Sequence, residues 1–260
     1  MQKTLYPEIN MLLEDLRVQI HAILGEKLVG LYLYGSLTWG DFDYESSDID
    51  LLVATATDIN KQEFDELDKA HSLLAQTYKH AREGMLEIAY ISVNALKTFK
   101  TQRSQIAIMS PGEPFHFKDA GNDWLINWYS IREKSVVLFG TSPQTFIASI
   151  SQEEFIQAVQ EQTKDWRDWI DQISHHRPSQ AYAILTMCRA LYACKNGEQV
   201  SKKQAAAWVE KQFPEWSSLI ENALQWRMEW RNKDLNFEET FPETKKFVNF
   251  VIDHVVEKSV

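Results

Sequence analysis

The chain has 260 residues, of which 44% are hydrophobic and 25% are charged. These are the values of a folded globular protein, and they exclude a disordered chain and a fibrous repeat. The 27 basic and 37 acidic residues give a formal net charge of −10. Because proteins that bind nucleic acid are usually basic, this balance argues against a nucleic-acid partner. The length suits one large domain or two small ones.

Cysteine usage and hydropathy indicate the cellular compartment in which we expect the protein. Cys188 and Cys194 are the only cysteines, and both fall in one segment with a helical pattern, so we expect no disulfide framework and a reducing compartment. The N-terminus shows no signal-peptide pattern, and no apolar run approaches the roughly 18 to 20 residues that a membrane helix needs. We expect a cytoplasmic protein without a membrane partner. Its oligomeric state is not determined by the sequence, and a monomer is compatible with it.

The first half of the chain alternates between helical and extended patterns. Helices are predicted over 8–24, 61–79 and 124–133, and strands over 28–34, 49–54, 85–92 and 135–139. Gly25 follows the first helix as a stop signal. Residues 93–123 contain a turn cluster at 110–114, and we expect part of this region to be a mobile loop.

After about residue 150 the pattern becomes helical throughout. Helices are predicted over 152–173, 179–195, 201–213, 215–232 and 243–257. Breaks at Asn196-Gly197 and Phe213-Pro214 separate some of them. We therefore predict an α+β protein with two domains. Residues 1–150 form a small mixed sheet with flanking helices, and residues 151–260 form an all-α helical bundle.

Two aspartates lie at the start of the second predicted strand. Asp48 and Asp50 are two residues apart, so on a strand their side chains point to the same face. Two carboxylates held that close repel each other unless a cation neutralises them. A divalent ion that prefers oxygen ligands, such as Mg2+, meets this need and also accepts phosphate oxygens.

A glycine and a serine end the preceding predicted strand. At Gly35 the backbone can approach a ligand closely, and backbone amides together with the hydroxyl of Ser36 can hold a phosphate. A phosphate-binding turn beside an acidic metal site suits phosphoryl or nucleotidyl transfer, where positioning and neutralisation of charge supply most of the catalysis.

A third acid, Glu87, interrupts the apolar strand predicted over 85–92. Burial of a lone carboxylate costs several kcal/mol unless it is paired or bound to a metal. Glu87 is therefore a candidate metal ligand, or a general base that takes a proton from an acceptor hydroxyl. Alternation along the strand also allows the simpler interpretation that Glu87 faces solvent.

These motifs resemble a known superfamily. Gly35-Ser36, then Ser47-Asp48-Ile49-Asp50, then a strand carrying Glu87, is similar to the nucleotidyltransferases that include DNA polymerase beta. The segments 184–192 and 201–208, with Asn196-Gly197 between them, resemble the C-terminal helical domain of the aminoglycoside adenylyltransferases of the streptomycin and spectinomycin type. The resemblance implies a nucleotidyltransferase fold for the N-terminal domain.

The resemblance also implies a reaction, in which AMP passes from ATP to a hydroxyl of a small molecule, such as an aminoglycoside or aminocyclitol antibiotic, with Mg2+ as cofactor. ATP would bind between the two domains, and Glu87 would act as the base. The implied nucleotide-binding residues are Gly35, Ser36, Ser47, Arg189 and Lys202. The implied metal ligands are Asp48, Asp50 and Glu87.

The acceptor side departs from the family pattern. An acidic pair precedes the family's helix at this position, whereas residues 175–180 here are basic to neutral. The tryptophan on which the family's drug stacks has no clear counterpart, and Phe115, Phe117 and Trp124 are the candidates. The acceptor could thus be a neutral drug, a metabolite or a macromolecule. A regulatory module that keeps the fold without catalysis is a third hypothesis, and it leaves the buried acids unexplained.

Overall fold

The computed structural model describes residues 4–229 and 238–256. The chain divides into two compact units. The first runs from the N-terminus to Phe42 and from Ser47 to Ile150, and the second comprises Asp43–Ser46 and the chain from Ser151 onward. In the described ranges, no helix combines the length and the hydropathy that crossing a membrane requires.

The first unit is built around a six-stranded sheet with order β5-β4-β3-β2-β1-β6. Its strands are β1 (Leu28–Tyr34), β2 (Ile49–Thr55), β3 (Leu86–Ser92), β4 (Ser104–Ser110), β5 (Glu113–Ala120) and β6 (Val136–Gly140). Its helices are α1 (Pro7–Leu24), α2 (Ser36–Trp39), α3 (Lys61–Thr77), α4 (Lys79–Arg82), α5 (Val93–Thr98) and α6 (Leu125–Lys134). Strands β2 and β3 pair in parallel, and the other neighbours in this sheet are antiparallel. The sheet is therefore mixed.

The three central strands share one burial pattern. In β1, β2 and β3 every residue is buried except the second, which is half-buried. Strands enclosed on both faces read as continuous apolar runs, so a half-buried position within such a run stands out. In β2 and β3 that second position is an acid, Asp50 or Glu87.

Helix α3 covers one face of the sheet. His71 of α3 has its Nε2 2.7 Å from the hydroxyl of Tyr90 on β3. Phe64 of α3 stacks on Phe115 and Phe117 of β5, at ring-centroid distances of 4.3 and 4.5 Å. Because side chains alternate along β3, Glu87 points to the opposite face from Tyr90.

The second unit is helical in its described part. It contains α7 (Gln152–Trp169), α8 (Arg177–Asn196), α9 (Lys202–Gln212), α10 (Ser217–Trp226) and α11 (Phe241–Val256). Helices α7 and α9 each begin with a capping box, in which a serine and the residue three positions later accept hydrogen bonds from each other's backbone amides. These bonds satisfy amide groups that the first turn of a helix leaves unpaired. Helix α8 is the most enclosed, and the amide of its Gln180 accepts hydrogen bonds from the hydroxyls of Thr240 and Thr244.

The architecture confirms the predicted α+β fold class, with small shifts at element ends. The region 93–123, part of which was expected to be a mobile loop, is mostly regular structure, and the turn cluster predicted over 110–114 coincides with the turn between two strands. This region forms α5 and the hairpin of β4 and β5, and the hairpin turns at Gly112, whose φ is +82°. Strand β5 lies at the sheet edge, and its alternation of Phe115 and Phe117 with His116 and Lys118 covers only four residues, which is a weak strand signal. The predicted helix ends at 232 and 257 lie outside the described residues.

Candidate active site

Three carboxylates converge at the start of β2 and β3. The parallel register pairs Asp50 directly with Glu87, and Asp48 lies just before β2 on the same side of the chain. Each of the three side chains offers an oxygen, and these oxygens all lie within 4.8 Å of one another. All three residues are half-buried. The structure thus brings together the three acids that the sequence singled out.

Gly35 packs against the side chain of Asp50. The antiparallel register places Tyr34, the last residue of β1, opposite Asp50. A Cβ on Gly35 would lie 1.9 Å from Oδ2 and 2.7 Å from Cγ of Asp50, and the φ of Gly35 is +69°. Both the space and the backbone conformation therefore require glycine here.

The environment of Glu87 favours its protonated form. Burial raises the pKa of Glu87 to about 7, and the negative charge of Asp48 adds to the rise. Smaller contributions oppose each other: a hydrogen bond from Tyr34 and the charge of Lys118 lower the pKa of Glu87, and Glu113 raises it. In the metal-free protein this cluster is therefore short of positive charge.

Tyr34 lies in the same row across the sheet as Asp50 and Glu87. Its hydroxyl donates a hydrogen bond of 3.3 Å to Oε1 of Glu87. Burial raises the pKa of Tyr34 well above its ordinary value, and the charges of Glu87 and Asp50 reinforce the rise. Tyr34 therefore remains a hydrogen-bond donor, which suits a role in orienting Glu87. Sequence reasoning missed it, although it directly precedes the Gly35-Ser36 motif.

The turn after β1 holds a buried hydroxyl without a partner. Within the described residues, Oγ of Ser36 is buried and makes no hydrogen bond. Ser36 begins the short helix α2, whose chain turns back through a hydrogen bond from the amide of Thr38 to the carbonyl of Gly35. A buried donor without a partner is costly, so a ligand that hydrogen-bonds Ser36 would remove a penalty. Ser47 is buried next to Asp48.

The donor chemistry fits a hard divalent cation. Asp48, Asp50 and Glu87 offer only oxygen atoms, which Mg2+ prefers over nitrogen or sulfur. A cation there would also offset the repulsion between Asp48 and Glu87 that raises the pKa of Glu87. The residues present therefore fit Mg2+ as the ion that this cluster would hold.

The predicted nucleotide-binding cations lie on helices of the second unit. Arg189 is on α8 and is half-buried, and Lys202 is the first residue of α9. The Nζ of Lys202 lies 5.0 Å from the ring centroid of Tyr182 on α8. That contact holds the ammonium group against an exposed aromatic side chain.

The acceptor candidates divide between the two faces of the sheet. Phe115 and Phe117 stack on α3, so they face away from Glu87, and their candidacy as a stacking platform beside the base is wrong. Trp124 differs, because the Nζ of Lys118 lies 5.9 Å from its ring centroid and the charge of Lys118 acts on Glu87. In the second unit, Nδ1 of His175 pairs with Oε1 of Glu238 at 2.9 Å.

A family model matches the second unit. Residues 145–254 match the model described as the aminoglycoside adenylyltransferase C-terminal domain. No curated protein matches the chain in sequence.

Solved structures extend the comparison to the fold. The spectinomycin adenyltransferase AAD(9) from Enterococcus faecialis, solved with ATP and spectinomycin, is 15% identical and has a TM-score of 0.72. The alignment covers 95% of this chain and 98% of that one, so the two share a fold. A toxin-antitoxin structure with AMP-PNP is 17% identical over 62% of this chain and 97% of that one, with a TM-score of 0.29. The family model and the shared fold together confirm the predicted resemblance.

Proposed function

We propose that this chain, an aminoglycoside adenylyltransferase-like nucleotidyltransferase, transfers AMP from ATP to a hydroxyl of a small-molecule acceptor with the help of Mg2+. One observation carries the proposal: Asp48, Asp50 and Glu87 converge within 4.8 Å, beside a glycine whose close contact with Asp50 admits no side chain. Without a cation, the repulsion among these acids is relieved only by protonation of Glu87, whose pKa is raised to about 7.

The proposed reaction needs a base, and Glu87 has the properties of one. Burial is the main cause of its raised pKa of about 7 in the metal-free protein and would persist with a cation bound, and a base works best when its pKa lies near the working pH. Glu87 takes the proton of the acceptor hydroxyl while the hydroxyl oxygen bonds to the α-phosphorus of ATP. The bond from that phosphorus to the bridging oxygen of the β-phosphate breaks, and pyrophosphate leaves with its electron pair. Tyr34 holds the carboxylate in place through its hydrogen bond.

The cation would neutralise the negative charge of the phosphates, and the phosphate-binding residues would hold the triphosphate in place. Bound Mg2+ would neutralise phosphate charge and polarise the phosphorus for attack. Asp48 and Asp50 would hold it, with Glu87 as a further ligand. The unpartnered hydroxyl of Ser36 supports a role in binding the triphosphate, with Gly35 allowing close approach and Ser47 nearby. We assign the cationic contacts with the nucleotide to Arg189 and Lys202, as the family resemblance implies.

The acceptor proposed first is an aminocyclitol or aminoglycoside antibiotic, so that the protein would act as a resistance enzyme in the cytoplasm. AAD(9), with the same fold, was solved with spectinomycin, which makes this class of compound the first to test. The domains that carry the reaction are residues 1–150 for nucleotidyl transfer and residues 151–260 for the helical part.

Substitution of the proposed base tests the function. Glu87→Gln removes the proton acceptor and keeps the shape of the side chain. We expect transfer of label from α-labelled ATP to fall by about 1000-fold, the range of general-base catalysis, while ATP binding persists. Glu26→Gln, at an exposed glutamate of the same unit, is the matched control and should transfer normally. Unchanged turnover in Glu87→Gln would show that the base is misassigned.

The acceptor panel separates the competing functions. It contains spectinomycin, streptomycin and other aminoglycosides, neutral antibiotics and neutral sugars. Transfer confined to neutral compounds would favour a different acceptor class. Another outcome is ATP binding with no transfer of AMP to any compound of the panel or to any component of a cell extract. That result would favour a non-catalytic module.

A further inference from the structure

The first turn of α9 carries two lysines, Lys202 and Lys203, and no acid. The amide groups at the start of a helix give it a partial positive charge, so cations are disfavoured there. These amides are already capped, because Ser201 and Gln204 form a capping box. The stability of α9 therefore does not explain why lysines occupy its first turn.

The ammonium group of Lys202 lies over an aromatic ring of the neighbouring helix. Its Nζ is 5.0 Å from the ring centroid of Tyr182 on α8, within the distance of about 6 Å at which the face of a ring attracts a cation. A lysine carries its charge on a long flexible stem, so this contact restricts where the ammonium group can lie. Tyr182 is 54% exposed, and burial in the core therefore does not account for the position of its ring.

A third helix supports the ring of Tyr182. Trp166 of α7 has its ring centroid 6.1 Å from that of Tyr182, at an interplanar angle of 41°. Aromatic pairs at such distances attract each other beyond the effect of the area they bury, and Trp166 is itself half-buried. Contacts with α7 and α9 thus set the orientation of the Tyr182 ring, and with it the place of the ammonium group.

Tyr182 and Arg189 lie on the same side of α8. They are seven residues apart in this helix, which is close to two full turns and a rise of about 10 Å. Tyr182 therefore holds the Lys202 ammonium group near the side of α8 that carries Arg189, the other cation assigned to the nucleotide. Two cations on one side of a helix suit a ligand with several negative charges, such as a triphosphate.

We propose that Tyr182 is a positioning residue for the nucleotide, whose ring holds the Lys202 ammonium group in the place where it meets phosphate. This inference rests on the proposed function, in which Lys202 binds ATP, and it adds the residue that fixes this contact. Tyr182 acts through Lys202 and not on the reacting atoms. Without the ring, the ammonium group would occupy several positions, and fixing one of them on binding would weaken the affinity for ATP.

A double-mutant cycle tests the inference by calorimetry, with Mg2+ and a non-hydrolysable ATP analogue. We expect Tyr182→Leu to weaken binding about fivefold, the scale of a cation–π contact. Lys202→Met should weaken it about thirtyfold, the scale of a hydrogen bond to a charged group. The double variant should bind within about twofold of Lys202→Met alone, because the ring acts only through the ammonium group. Tyr182→Phe keeps the ring and should bind within about twofold of the wild type.

Trp169→Leu is the matched control, because Trp169 is another exposed aromatic residue of the second unit, at 59%, and this variant should bind normally. A general disturbance of the fold by Tyr182→Leu would persist in the Lys202→Met background, so losses that multiply in the double variant would overturn the inference. Unchanged affinity in Tyr182→Leu or in Lys202→Met, equal losses in Tyr182→Leu and Trp169→Leu, or a loss in Tyr182→Phe as large as that in Tyr182→Leu would also overturn it. The proposed function would survive each of these results if AMP transfer still depends on Glu87.

Discussion

Gly35 lies against Asp50 so closely that a Cβ at position 35 would sit 1.9 Å from Oδ2 of the aspartate. The end of β1 thereby fixes the carboxylate of β2 next to Glu87, its partner in the parallel register. The backbone turn that would receive phosphate and the acid that would hold the metal are thus one packed unit. Changes at either residue should disturb both functions.

Gly35→Ala should damage folding and binding together. Gly84 has the same φ of +69° but open space where a Cβ would lie, so Gly84→Ala measures the backbone strain alone, about 1 kcal/mol. Gly35→Ala adds the clash with Asp50 and should lose about 2 kcal/mol more in urea unfolding. It should also lose Mg2+-dependent ATP binding. Equal stability losses in the two variants, with ATP binding intact in both, would refute the close packing.

Ser36→Ala should separate stability from binding. The Ser36 hydroxyl is buried without a partner among the described residues, so its removal should leave the free energy of unfolding unchanged or raise it by about 1 kcal/mol. Affinity for ATP should fall about tenfold as a hydrogen bond to phosphate is lost. Ser92→Ala is the reciprocal control: Ser92 accepts from the amide of Ala95 at 3.2 Å, so its loss should cost about 1 kcal/mol of stability and no affinity.

The stability of the metal-free protein should report the pKa of Glu87. That pKa is raised from 4.5 to about 7 on folding, so the folded state binds the proton more tightly. The contribution to stability is fully present below pH 4.5 and is lost as the pH rises through 7. Relative to Glu87→Gln, the wild type should lose up to about 3 kcal/mol across this window.

Urea unfolding in EDTA across this pH range, on the wild type and Glu87→Gln, makes that measurement. His71 acts in the opposite direction, because burial lowers its pKa from 6.5 to about 4, so its contribution increases as the pH rises. Both proteins contain His71, and its effect cancels in the difference. A difference that does not vary with pH would mean that Glu87 ionises normally in the folded state.

Tyr34→Phe should shift the acidic limb of the pH profile of kcat/KM. The hydrogen bond from Tyr34 lowers the pKa of Glu87, so its loss should raise that pKa and move the acidic limb of kcat/KM to higher pH. Tyr32→Phe is the control, because the Tyr32 hydroxyl donates to the carbonyl of Thr141 at 2.7 Å. An identical profile in Tyr34→Phe and the wild type would remove Tyr34 from the catalytic arrangement.

Local pattern was sufficient to predict most elements and the three acids. Strand periodicity placed Asp48 and Asp50 on one face, and the desolvation cost of a carboxylate singled out Glu87 within an apolar strand. The distance between these acids required the parallel register of β2 and β3, which a single sequence does not encode locally. Only the resemblance to a known family indicated that the two strands are neighbours.

The β4–β5 hairpin shows where sequence reasoning failed. In this edge strand Phe115 and Phe117 alternate with His116 and Lys118 over only four residues, the shortest run that indicates a strand, and part of the region was expected to be a mobile loop. Without that strand, the face on which Phe115 and Phe117 lie could not be assigned. A turn glycine at 112 between two residue runs of strand length was the signal that could have revealed the hairpin.

Mg2+-dependent binding of ATP tests the central claim most directly. Calorimetric titration of ATP into the wild type should show binding with Mg2+ present and a loss of about 100-fold in affinity in EDTA, since Asp48 and Asp50 would hold Mg2+ together with the substrate phosphates. The Asp48→Asn/Asp50→Asn double variant should bind ATP equally weakly under both conditions. If the wild type bound ATP with the same affinity in EDTA, and the double variant matched it with Mg2+ present, the three acids would not form the nucleotide-linked metal site.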